Sequence, residues 1–171
     1  KAGKRGYLAT DSGGNTLVSA RHGAVRGVAA FRDRSLHGTT YQSVPTDVVR
    51  GPDGAWYVSE LTGAPYTRGV ARIWRVVPGH RPRVWASGLT NVTSLAWSGH
   101  RLYAVQISDT GIPDFVGSLL WVRPDASGKT DRTIATDLPA PYGVAVHGSA
   151  AFVSIGAIDP TGGSVIRIPL G

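Results

Sequence analysis

The chain has 171 residues, a formal net charge of +7, and neither cysteine nor methionine. The lack of cysteine excludes disulfides, thiolate zinc sites and cysteine nucleophiles. Hydrophobic residues make up 42% of the chain and charged residues 17%, a balance typical of a globular protein. No apolar run reaches the roughly 18 residues that a bilayer-spanning helix needs, so no membrane partner is expected.

The positive charge comes from 15 Arg and 3 Lys, and the arginines are spread singly along the chain. The sequence has no helix with a stripe of basic residues and no RNA-binding motif in which basic and aromatic residues alternate. The pattern therefore favours arginines on solvent-exposed faces and predicts no nucleic-acid partner. The 23 Gly and 11 Pro are scattered as well. Such scattering indicates many short strands joined by tight turns.

In chain order, short segments rich in β-branched and aromatic residues recur between turns. The first group covers 7–10, 15–19 and 25–31, and a polar loop over 32–43 follows it. The next two groups have four segments each, at 45–49, 55–59, 72–76 and 83–86, then at 92–96, 101–105, 118–122 and 132–135. The last group has three, at 141–145, 150–154 and 164–168. No stretch shows a sustained helical period.

One aromatic position repeats through these groups. It is Tyr57, then Tyr103 and then Phe152, in steps of 46 and 49 residues. Four antiparallel strands in a repeat of 40 to 50 residues is the pattern of a β-propeller blade. We therefore expect the three rings to occupy equivalent positions that are mostly buried between blades.

The sequence thus predicts an all-β fold, with residues 1–171 forming a β-propeller segment of about three and a half four-stranded blades. The units are a partial blade at 7–31, blades at 45–86 and 92–135, and a partial blade at 142–170. The first is expected to lack its opening strand and the last its closing strand. Ring closure usually takes six to eight blades, although four is possible. We therefore expect a larger ring of about six, completed by the remainder of the propeller or by another chain.

The run 44–63, which reads VPTDVVRGPDGAWYVSELTG, carries a family likeness, as do 11–15, 71–79 and 165–170. These segments resemble the ScyD/ScyE family of secreted bacterial β-propeller proteins, and the likeness covers nearly the whole chain. The resemblance implies a secreted or periplasmic protein whose signal peptide is removed or lies upstream. The sequence departs from the family pattern at Gly99-His100 and His147-Gly148, where an Asp-Gly turn is usual.

One column of residues follows the second strand of each unit: Asp11, Glu60, Gln106 and Ile155. If these side chains point towards the propeller axis, Glu60, Asp11 and Gln106 form a ligand-binding site at the channel mouth. Glu60 and Asp11 would then be ligands for Ca²⁺ or another divalent cation. The alternative is that the carboxylates accept hydrogen bonds from backbone N–H groups and hold turns.

Three functions remain open from the sequence. The first is a secreted binding or scaffold propeller, which holds a small molecule or a protein partner with its channel-mouth loops. The second is a metal-assisted enzyme acting on a small molecule, in the manner of a lactonase or a lyase. The third is an oxidoreductase of specialised metabolism, as in the scytonemin pathways with which the resembling family is associated. Binding is preferred because no catalytic residues can be assembled. His22, His80, His100 and His147 sit beside Gly in predicted turns, where they are expected to be exposed.

Overall fold

A computed structural model describes residues 2–3, 6–123 and 132–171 of the chain. Throughout these residues the regular secondary structure consists of β-strands, and no helix is present. The all-β prediction is therefore confirmed. In the same residues there is no helix with the length and apolar character needed to cross a bilayer.

The first sheet has four antiparallel strands in chain order: β1 (Ala2–Gly3), β2 (Gly6–Asp11), β3 (Thr16–Arg21) and β4 (Ala24–Ala30). The prediction that this unit lacks its opening strand is wrong, because β1 pairs with the start of β2. A two-residue strand of Ala and Gly carries no strand preference that a sequence pattern could reveal.

A two-stranded hairpin separates the first sheet from the second. Its strands are β5 (Arg34–Leu36) and β6 (Thr39–Tyr41). The sequence analysis treats this region as a polar loop, since most of its side chains are polar or charged. The turn between the two strands contains His37 and Gly38, both at positive φ, which is the backbone conformation of a tight two-residue hairpin turn.

The second and third sheets are four-stranded antiparallel sheets whose strands again follow chain order. The second contains β7 (Pro45–Arg50), β8 (Trp56–Glu60), β9 (Ala71–Val76) and β10 (Arg83–Leu89). The third contains β11 (Val92–Ser98), β12 (Arg101–Gln106), β13 (Val116–Val122) and β14 (Arg132–Pro139). All eight predicted strands of these two units are present.

The fourth sheet has three strands: β15 (Val144–His147), β16 (Ala150–Ile155) and β17 (Ser164–Pro169). Its three strands match the three predicted from the sequence. The first of them begins at Val144 rather than at the predicted Pro141. The two residues after Pro141 bond to the second strand only through Ser154, outside the regular ladder.

The strand registers of the last three sheets are equivalent. Tyr57 lies opposite Val49, Tyr103 opposite Ala96, and Phe152 opposite Ala145. In each sheet the aromatic sits on the second strand and faces the same position of the first strand. The prediction that the three rings are equivalent is confirmed.

The sheets pack face to face in chain order through three apolar clusters of the described residues. The first and second sheets meet around Leu17 and Val58, the second and third around Tyr57 and Leu95, and the third and fourth around Tyr103 and Val153. Burying an aromatic side chain of this kind contributes about 2–3 kcal/mol. These interfaces therefore hold the sheets together.

The repeated aromatic is buried only where another sheet follows. Tyr57 is 4% exposed and Tyr103 is 2% exposed, because each packs against the next sheet along the chain. Phe152 is of intermediate exposure, so it is less buried than the other two rings but does not contradict the prediction of mostly buried rings. Among the described residues, no apolar cluster joins its face of the fourth sheet to another sheet.

Polar bonds between the first strands of neighbouring sheets repeat along the chain. Thr46 Oγ1 donates to the carbonyl of Val92, and Thr93 Oγ1 donates to the carbonyl of Tyr142, both at 2.7 Å. Asp47 Oδ2 accepts hydrogen bonds from Ser94 Oγ and from the backbone N–H of Leu95, each at 3.0 Å. These bonds place β7, β11 and the segment before β15 side by side.

Candidate functional site

The four residues of the predicted column lie at the same end of the strands in their respective sheets. Asp11, Glu60, Gln106 and Ile155 are each the last residue of the second strand of their sheet. Glu60 pairs with Pro45 and Gln106 with Val92, which are the first residues of β7 and β11. The four residues therefore occupy equivalent strand positions, as predicted. Their contacts, however, differ from sheet to sheet.

Glu60 is a buried carboxylate, 4% exposed, on the side of the second sheet that faces the first. Its Oε1 accepts hydrogen bonds from Ser43 Oγ at 2.6 Å and from Trp74 Nε1 at 2.7 Å. Burial raises the pKa of Glu60 above its ordinary value, while these two donors and the charges of Arg72 and Arg34 act in the opposite direction. The Glu60 carboxylate thus anchors the segment before β7 to the third strand.

Gln106 is also buried, and it holds loops of its own sheet. Its Oε1 accepts a hydrogen bond from the backbone N–H of Thr90 at 2.7 Å. Its Nε2 donates to Asp109 Oδ1 at 2.7 Å and lies 3.4 Å from Ser118 Oγ. The amide is therefore engaged at both ends by groups of the third sheet and its loops.

Asp11 is exposed and closes the turn after β2. Its Oδ1 accepts a hydrogen bond from the backbone N–H of Gly14 at 2.9 Å, and its Oδ2 lies 3.4 Å from Thr16 Oγ1. This is the turn-holding role that the sequence analysis gives as the alternative. Ile155 contributes no polar group.

The three polar members of the column have no hydrogen bond to one another in the described part of the chain. In those residues there is also no group of three or more His, Cys, Asp or Glu side chains that could hold a metal ion. Glu60 Oε1 already has two donors. The cation site at Glu60 and Asp11 stays a prediction without support from this geometry.

The histidines do not form a site in the structure either. All five, at positions 22, 37, 80, 100 and 147, are exposed. His22 and His37 sit in tight turns at positive φ. The prediction that the histidines beside Gly are exposed turn residues is confirmed, except that His147 is the last residue of a strand.

A concave feature lies towards the opposite end of the strands. It is a cavity of about 1110 Å³ bordered by residues of all four sheets. Val49 and Arg50 at the end of β7 and Trp56 at the start of β8 line the cavity. Glu60 lies at the other end of β8, so the cavity is at the end of the strands opposite to the predicted column. The first strands of the third and fourth sheets also border it. The remaining lining residues are Gly6, Tyr7, Leu8, Ser19, Arg21, Val28, Pro78, Leu95, Ala96, Trp97, Val144, Ala145 and Val146.

The chemistry of this cavity is apolar with a cationic edge. Most of its lining is aliphatic or aromatic, and Arg21 and Arg50 are its charged residues. The guanidinium carbon of Arg50 lies 5.9 Å from the centroid of the Trp56 ring, and its Nε donates to the carbonyl of Gly54 at 3.4 Å. No acidic residue of the described chain lines the cavity. Such a surface suits an apolar molecule that carries a negative group.

The sequence does not predict this cavity, for a physical reason. Val49, Leu95 and Val144 are strand residues whose pattern is that of core packing, and Val49 and Leu95 are indeed mostly buried. Only the arrangement of the four sheets shows that strands from all of them border a common space. In the sequence, Arg50 simply follows a run of strand residues. That pattern does not tell whether Arg50 lines a cavity or lies on an open surface.

Comparisons with known proteins leave the family open. No family model and no curated protein matches the chain. Among solved structures, the chain is similar to a Thermus thermophilus protein provisionally assigned as an oxidoreductase (glucose dehydrogenase). The two share 15% sequence identity over 95% of this chain and 93% of that one, with a TM-score of 0.35. A likeness this distant identifies neither a family nor an activity.

Proposed function

We propose that the chain is a segment of a β-propeller that acts as a binding protein. The ligand would be a small apolar or aromatic molecule with one anionic group, held in the cavity that all four sheets border. The cavity carries the proposal, because it combines an apolar lining with Arg21 and Arg50 at its edge. Export of the protein, as the resemblance to secreted propellers implies, belongs to the same proposal.

The arrangement of the sheets supports the propeller part of the proposal. Each sheet is an antiparallel meander, and successive sheets stack in chain order. Strand β7 lies beside β2 of the first sheet and β11 of the third, and β11 lies beside β15 of the fourth. The two outer faces carry apolar side chains: Tyr7 and Val25 on the first sheet are 64% and 69% exposed, and Val165 on the fourth is 68% exposed. Further sheets, from the remainder of the propeller or from another chain, would cover these faces.

The binding part of the proposal rests on electrostatics as well as shape. An apolar ligand body would displace water from the lining formed by Leu95, Val144 and Val146. Its anionic group would then lie beside the guanidinium of Arg50, which is already oriented by Gly54 and Trp56. An oriented guanidinium loses less freedom on binding than a mobile one.

The test is a fluorescence titration with 8-anilinonaphthalene-1-sulfonate, an aromatic anion, on the wild-type chain and on Arg50→Gln. We expect saturable binding that Arg50→Gln weakens about three- to tenfold, since one partly exposed ionic contact is lost. N-phenyl-1-naphthylamine has the same rings without the sulfonate, so its affinity should not depend on Arg50.

The matched control is Arg167→Gln, which removes one exposed arginine from β17, outside the cavity lining. It should leave both affinities unchanged. An equal loss of anilinonaphthalene sulfonate binding in Arg167→Gln and Arg50→Gln would mean that overall charge drives binding. No difference between Arg50→Gln and wild type would place the probe on another apolar face. Either result would contradict the proposal.

A further inference from the structure

A second, smaller cavity lies at the outer corner of the second sheet. It has a volume of about 460 Å³ and is formed by the hairpin that joins β9 to β10. Its lining residues are Arg75, Val77, His80, Arg81 and Arg83. Every titratable group of this lining is basic. We refer to it as the hairpin cleft.

The hairpin cleft brings like charges together. Arg75 and Arg83 are directly opposite each other on neighbouring antiparallel strands, a register in which like charges repel. Arg81 is two residues before Arg83, in the same hairpin. Two positive groups held in this register are stabilised when a negative group lies between them.

The protein neutralises only one of these arginines. Asp53 Oδ2 accepts a hydrogen bond from Arg75 Nε at 2.8 Å and one from the Tyr57 hydroxyl at 3.1 Å. Its Oδ1 accepts one from the backbone N–H of Ala55 at 3.2 Å. Asp53 is thereby occupied on both oxygens. Among the described residues, no carboxylate forms an ion pair with Arg81 or Arg83.

The hairpin cleft is separate from the larger cavity. Arg75 pairs with Tyr57, and both lie on the face of the second sheet that packs towards the third. Trp56 pairs with Val76 and lies on the opposite face, towards the first sheet. A ligand in the hairpin cleft would therefore not compete directly for Arg50.

We propose that the hairpin cleft is a binding site for a phosphate group, carried by a small molecule or present as the free anion. Two unpaired guanidinium groups offer the paired N–H donors that match phosphate oxygens. The exposed imidazole of His80 offers a further donor at the same rim. A volume of about 460 Å³ has room for a phosphorylated small molecule.

The experiment is isothermal titration calorimetry of the whole chain with inorganic phosphate, phenyl phosphate and acetate, each at low and at physiological ionic strength. We expect saturable binding of both phosphates and much weaker binding of acetate. The double variant Arg81→Gln/Arg83→Gln should lose at least about tenfold in phosphate affinity, because both uncompensated charges are removed. Tighter binding of phenyl phosphate than of phosphate would indicate an esterified ligand, and equal binding would indicate the free anion.

The control is Arg26→Gln/Arg167→Gln, which removes the same charge from two exposed strand positions outside the hairpin cleft. It should bind phosphate as the wild type does, and circular dichroism should show that both double variants are folded. Arg50→Gln should also bind phosphate normally, which separates this site from the proposed function. Absence of saturable phosphate binding by the wild type would overturn the proposal, as would an equal loss in both double variants.

Discussion

Glu60 shows how much a residue's environment decides its role. The carboxylate is buried among Ser43, Trp74 and the second strand of its sheet, and it accepts two short hydrogen bonds on one oxygen. Gln106 holds the equivalent place in the next sheet with an uncharged amide. Because an amide suffices there, the negative charge at position 60 is not needed for holding a loop, and its burial raises the pKa.

Glu60→Gln tests this directly. A group whose pKa is higher in the folded state than in the unfolded state binds extra protons on folding. Wild-type stability should therefore fall as the pH rises from the ordinary glutamate pKa through the raised folded value. Glu60→Gln has no such titration, so its stability relative to wild type should increase over that pH interval and then level off. Urea unfolding between pH 4 and pH 8 measures the difference, and a constant or decreasing difference would contradict this explanation.

At the residue scale, the sequence predicted the strand positions of the column residues but not their hydrogen-bond partners. Spacing alone placed Asp11, Glu60 and Gln106 in one column, because strand registers repeat from sheet to sheet. Their contacts come from loops that do not repeat: Ser43 precedes β7, and Asp109 follows β12. Partners distant in sequence cannot be predicted from the spacing of a repeat.

At the scale of strands and turns, alternating patterns with β-branched residues predicted nearly every strand. The exceptions were β1, which is too short for a pattern, and the hairpin of β5 and β6, whose side chains are mostly polar. Hairpins of this kind are specified by their turn geometry, here at His37 and Gly38, more than by apolar alternation. Strand pairing also includes close backbone approaches that the sequence marks only by glycine.

Gly117 in β13 is such a close approach. A Cβ added there would overlap the backbone carbonyl of Gln106, which cannot move without disturbing the pairing of β12 and β13. Gly117→Ala should therefore destabilise the chain by about 1–3 kcal/mol. Gly27 in β4 is the matched control, because a Cβ added there would meet no atom within 4 Å. Gly27→Ala should be neutral or slightly stabilising. Equal unfolding midpoints for the two variants in urea would refute this prediction.

At the scale of the whole molecule, the repeat fixes which faces of the sheets are apolar. Tyr57 and Tyr103 are buried because another sheet follows each of them, whereas the equivalent Phe152 is half-buried. The stacking order could be predicted from the repeat, since each sheet buries its faces only against its neighbours. The cavity could not be predicted, because its volume depends on how far apart the bordering strands of all four sheets lie.

The most direct test of ligand binding in the larger cavity is possible because the chain contains no cysteine, so a single introduced thiol can be followed alone. Ser19 lines the cavity, and Ser164 is exposed at the start of β17 outside it. Single variants Ser19→Cys and Ser164→Cys would each carry one thiol, whose reaction rate with a disulfide reagent can be measured with and without 8-anilinonaphthalene-1-sulfonate. The expected result is that the probe slows modification at position 19 and leaves position 164 unaffected. Unchanged rates at position 19, or equal slowing at both positions, would contradict binding in the cavity.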